Sequence, residues 1–146
     1  MNTYLEMKNR QQEEFNAFPC FFAFNNQQFE EGMEKLGLES TDTDKVYKGV
    51  GGMIYKKTES PALKEMTNRH TKEREDAIEG DAKGDGYIFE MFRYELANHE
   101  YGYTCDDEDT IDALGLTHDE IEASPALKEG LHNAKVMVSA EFMGLG

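Results

Sequence analysis

The segment Tyr87 to Tyr101, YIFEMFRYELANHEY, constrains the fold more than any other part of the chain. Ile88, Phe89, Phe92 and Leu96 recur at helical spacing, and Met91 and Tyr94 widen the stripe. A helix this apolar on one side must be covered by other elements, so it predicts the central helix of a core. The 3.6-residue spacing outweighs the β-propensity of the aromatic residues. The preceding GDAKGDG (80–86) breaks any helix running into it.

Other elements follow from caps and stripes. Thr3 and Glu6 have capping-box spacing, and Tyr4, Met7, Gln11 and Phe15 form the inner face of a first helix that Pro19 stops. Cys20 to Phe24 predicts a strand buried on both faces. Asn25 with Gln28 starts a second helix, striped by Phe29, Met33 and Leu36 and ended by Gly37. Residues 39–44 read as a loop, and 45–57 as a hairpin around glycines. Ser60-Pro61 begins a long helix with Leu63, Met66, His70 and Ala77/Ile78 on one side. A short helix around Ile111 and Leu114 ends at Gly115, Thr117 and Glu120 form another capping box, and Ser124-Pro125 opens or kinks the last helix. Residues 136–143 fit either the end of that helix or a strand. SPALKE occurs twice, at 60–65 and 124–129; reuse of a good helix start is the plain reading and internal duplication the alternative. The expectation is a helix-rich α+β protein with a short antiparallel sheet or hairpin, residues 1–146 making a single domain.

A hydrophobic content of 38% and an aromatic content of 11% support a folded core despite a net charge of −15. The opening residues lack the basic start and apolar stretch of a signal peptide, and no run is long enough to span a membrane. Two cysteines are too few for a disulfide scaffold. The expected setting is a soluble protein with free thiols in the cytoplasm.

Catalytic patterns are weak. His70 and His99 fall on predicted apolar faces, where an imidazole bonded to a backbone carbonyl is the plain reading. An acid–base site near them is the sharper one. No His pair has metal-binding spacing. Cys105 abuts Asp106, Asp107, Glu108 and Asp109, surroundings that disfavour a thiolate nucleophile. Asp81 to Phe92 approaches a calcium loop, but Lys83 and Phe92 occupy ligand positions. Gly49 to Gly52 lacks the Lys-Ser/Thr of a phosphate loop. No catalytic residue, metal ligand or cofactor is assigned.

Charge is the more informative pattern. No Lys or Arg lies between Tyr94 and Leu127, a stretch holding Glu95, Glu100, Asp106, Asp107, Glu108, Asp109, Asp112, Asp119, Glu120 and Glu122. A solvated, solubilising face is the plain reading. The functional one is a surface that repels nucleic acid and suits a basic protein, including one whose nucleic-acid groove it would occupy. The candidate contact residues are Glu100, Tyr101, Tyr103, Asp106, Asp107, Glu108, Asp109, Asp112, Asp119 and Glu120, the tyrosines as amphipathic anchors.

Three phrases, FFAFNNQQFEEGMEKLG (21–37), GGMIYKK (51–57) and YELANHEYGYT with DTIDALGLT (94–117), resemble a family of small acidic proteins carried by bacteriophages and bacterial mobile elements. The resemblance implies an inhibitor of a host defence or nucleic-acid-handling protein, a CRISPR effector among them. A structural or assembly protein of a mobile element is the alternative, and an enzyme using His70 and His99 the second.

Overall fold

A computed structural model describes residues 3–144. It is 70% helical with one small antiparallel sheet, the helix-rich α+β class expected. The elements run α1 (Thr3–Asn16), β1 (Phe21–Phe22), α2 (Asn26–Lys35), β2 (Val46–Lys48), β3 (Met53–Lys56), α3 (Ser60–Glu79), α4 (Tyr87–Asn98), α5 (Tyr101–Thr104), α6 (Glu108–Ala113), α7 (His118–Ala123) and α8 (Pro125–Phe142). Packing divides them into two compact units, one of Met1–Arg10 with Glu73–Gly146 and one of Gln11–Lys72, so α1 and α3 each contribute to both. Among the described residues, no helix is long and apolar enough to cross a membrane.

In the first unit α4 is the core, as its stripe predicts. Ile88, Met91, Phe92 and Leu96 are fully buried and packed with Ile111, Leu114, Ile121, Leu127, Leu131, Ala134 and Val138. α8 lies closest along α4, and Gly130 permits the approach. A methyl group there would strike Ile88 and the Gly84 carbonyl. The GDAKGDG break has a defined job. Asp81 accepts backbone N–H bonds from Gly84, Gly86 and Ile88 at 3.2, 3.0 and 2.9 Å. The aspartate that opens the calcium-like pattern thus closes the turn leading into α4. α4 stops at Asn98, earlier than Tyr101, and Glu100 takes a left-handed conformation at φ 63°. α6 ends at Ala113, and Gly115 (φ 69°) turns the chain away just after its cap, where Leu116 N–H reaches the Ile111 carbonyl. α8 stays helical to Phe142, which settles the ambiguity at 136–143.

The second unit holds the sheet, ordered β1-β3-β2, with Phe21 opposite Ile54 and Tyr47 opposite Tyr55. Phe21, Met33, Leu36 and Ile54 form its core. Asn25 accepts the Gln28 N–H at 2.8 Å while Gln28 accepts the Phe24 N–H at 2.7 Å, so two amides at the entry to α2 are satisfied. The strand expected over 20–24 is corrected: only Phe21 and Phe22 pair, at a sheet edge, and Phe22 and Phe24 are 48% and 84% exposed. An edge strand buries one face, so the apolar run overstates its burial. Gly32 lets α2 close on that strand, because a Cβ there would intrude on the Phe21 ring.

Candidate functional site

The acidic residues separate into three groups. Glu95 is 2% exposed, so it belongs to the interior and not to a surface. Its Oε1 accepts from Tyr4 Oη at 3.1 Å and Lys8 Nζ at 2.9 Å, and its Oε2 lies 3.5 Å from His99 Nε2. Thr110 donates to the Glu95 backbone carbonyl at 3.3 Å. A buried carboxylate is tolerated when it is paired and hydrogen-bonded, and these partners supply both conditions. Burial, reinforced by the Glu95 charge, holds the Tyr4 hydroxyl far above its ordinary range. The sequence count of surface acids missed this because Lys8 and Tyr4 are far away in the chain. Only the position of Glu95 within the stripe of Phe92 and Leu96 could have signalled it.

His70 and His99 each face a carboxylate, not a backbone carbonyl. His99 faces Glu95 in the first unit. His70, in the second, lies 3.0 Å from Glu14 Oε2. Glu14 is also bound by Arg69, whose hydrogen bonds, ahead of that from His70, lower the Glu14 carboxyl to about 2.

A second acidic group is paired with cationic or imidazole side chains. Asp107 Oδ2 lies 2.7 Å from Lys135 Nζ on α8, and its Oδ1 is 3.9 Å from His118 Nε2. Glu108 Oε1 is 3.3 Å from the same imidazole nitrogen. Glu122 meets Lys128 at 3.1 Å. Asp107 is therefore largely covered, its side chain 14% exposed. Asp106 accepts the Glu108 N–H at 3.0 Å. Thr117 caps α7 by accepting the Glu120 N–H, but the Glu120 carboxylate accepts the Thr117 hydroxyl, not the backbone N–H that the expected capping box would use.

The third group lacks a nearby cation, although Asp106 and Glu120 accept the local hydrogen bonds just given. Glu100, Asp106, Asp109, Asp112, Asp119 and Glu120 are exposed. Among the described residues, none of these six has a Lys, Arg or His within 4.0 Å of its carboxylate. Glu100 leads into α5, where a groove of about 600 Å³ runs between α4, α5 and α8. Tyr94, Ala97, Tyr103, Val138 and Phe142 supply its apolar lining. Glu90, Glu100 and Glu141 stand in its walls with a single cation, Arg93, which is bonded to Glu141 at 3.1 Å. Tyr103 and Phe142 are 77% and 60% exposed and meet edge to face, ring centres 6.3 Å apart. Gly102 makes this possible, since a Cβ there would lie 2.7 Å from the Cβ of Phe142. Tyr101, by contrast, is half-buried beneath the Lys135 amine, 5.7 Å from its ring centre. The sequence singles out Tyr103 and Glu100 but not the far wall. Val138 reads as core, and Glu141 and Phe142 lie where helix and strand patterns compete.

The profile of a family of unknown function (DUF7659) matches residues 3–137. The chain belongs to that family. No curated protein and no solved structure matches it.

Proposed function

We propose that the chain is an acidic protein-binding module. In this reading the α4–α5–α8 groove takes an apolar side chain from a basic segment of a partner protein, and the open carboxylates of α5 to α7 steer and hold that segment. The carrying observation is the Tyr103–Phe142 pair, two exposed aromatic rings set in a groove whose acids outnumber its one base. Rigid aromatic anchors beside a polar rim are what a binding hot spot requires. Uncompensated like charges destabilise the free protein and are relieved when a cationic surface arrives. This favours a partner that itself handles nucleic acid and presents a basic groove, a host defence protein of a phage-type inhibitor among the candidates.

The test is capture of a partner from bacterial lysate, followed by association kinetics with the purified partner. Reversal of Asp106, Asp109 and Asp112 to Lys should slow association more than it speeds dissociation, and salt should slow the parent protein more than the variant. Tyr103→Ala should mainly speed dissociation. Unchanged kinetics for both variants at low salt would reduce this surface to a solvated face.

A specific observation also favours the structural or assembly reading. Phe22 and Phe24 are exposed at the β1 edge of the sheet, where a further strand could pair. Concentration-dependent sedimentation, abolished by Phe24→Asp, would support it.

A further inference from the structure

We infer that Asp107, Glu108 and His118 form a zinc-binding site. This goes beyond the binding reading above and does not depend on it. Asp107 precedes α6, Glu108 begins it, and His118 begins α7. One donor atom from each residue falls within a cluster no more than 4.8 Å across. Two donors held at zinc bond lengths around a tetrahedral ion lie about 3.4 Å apart. The His118 Nε2 to Glu108 Oε1 distance, 3.3 Å, matches that edge, and the 3.9 Å to Asp107 Oδ1 requires a closing movement of about half an ångström.

The donor set selects the metal. An imidazole nitrogen with two carboxylate oxygens suits zinc, while calcium and magnesium prefer larger all-oxygen shells. Three protein ligands leave a fourth position open to solvent. Asp107 is preorganised: Lys135 holds its Oδ2 at 2.7 Å, which leaves Oδ1 turned toward the imidazole. A hydrogen bond to the non-ligating oxygen is how outer partners orient a metal carboxylate. Lys135 adds a positive charge, and Asp106 and Asp109 add negative ones on either side. The apolar patch between Tyr103 and Phe142 offers no such donors.

The experiment is calorimetric titration of the tag-free full chain with zinc chloride at pH 7.5. One equivalent should bind saturably. His118→Ala should weaken binding by about tenfold or more, and so should Glu108→Gln, whose exposed side chain leaves folding undisturbed. His132→Ala and Cys105→Ser should bind as the parent does. Calcium and magnesium should give no saturable heat. The assignment falls if no one-to-one binding occurs up to about 1 mM zinc. It also falls if His118→Ala binds normally, or if Cys105→Ser alone abolishes binding and so places the metal on the thiol.

Discussion

The hexapeptide SPALKE stands at 60–65 and at 124–129, and the chain uses the two copies differently. Ser124 is extended, at φ −117° and ψ 111°, and its hydroxyl accepts the Leu127 N–H at 3.2 Å, with Pro125 in the first turn of α8. Ser60 is already helical, at φ −57° and ψ −44°, and its N–H bonds to the Lys57 carbonyl of a preceding 3-10 turn. Ser124 is a cap; Ser60 is the first residue of α3 and continues the 3-10 turn before it. Leu127 is buried at 6% exposure, whereas the equivalent Leu63 is only half-buried. Identical local chemistry permits a cap without dictating one. Upstream residues decide, because KTE can wind into a turn that leaves Ser60 no orphan amides to satisfy.

The largest expected contrast lies in the leucines. Leu127→Ala should cost about 2–5 kcal/mol, since Leu127 sits in the core with α4. Leu63→Ala should cost less, because part of that side chain already meets water. Denaturant midpoints of the two variants provide the comparison. Equal losses would mean that the copies are energetically equivalent despite their surroundings.

The serines give a smaller contrast. Ser124→Ala should cost about 1 kcal/mol, the usual worth of a capping hydroxyl. Ser60→Ala should be close to neutral, because Ala is the better helix former at an interior position. A loss at Ser60 matching that at Ser124 would show that Ser60 caps in solution.

The same contrast marks what could be read from the chain. The α4 stripe, the Thr117 cap, the Asn25 cap and the Gly115 stop were legible because each is settled within one or two helical turns. Ser60, Phe24 and Glu95 were not. The role of Ser60 depends on a turn before it, the exposure of Phe24 on which strand neighbours it lacks, and the burial of Glu95 on Lys8 and Tyr4 from α1. For the candidate site, Tyr103 and the open acids could be read locally. The far wall of the groove and the Lys135 partner of Asp107 come from α8, and no local pattern brings that helix to them.

The smallest effect concerns how the amino-terminal copy is held. Glu65 at the end of that copy bonds Arg69 at 2.9 Å, and Arg69 reaches Glu14 on α1, which also meets His70. These groups lie in the second unit, and their side chains are largely exposed apart from His70. Hydrogen bonds from Arg69, then from His70, lower the Glu14 carboxyl from its usual 4.5 to about 2. The folded form therefore binds this proton less readily than the unfolded chain does. The resulting stabilisation is fully present above about pH 4.5 and is lost as pH falls toward about 2. Solvent screening keeps it small, and added salt should shrink it further. Glu14→Gln should flatten the dependence of the denaturation midpoint on pH across that window, while lowering the midpoint slightly at neutral pH. Parallel pH curves for the parent and Glu14→Gln would show that the charge cluster contributes nothing, leaving the burial of Met66 and the partial burial of Leu63 to hold that end of α3.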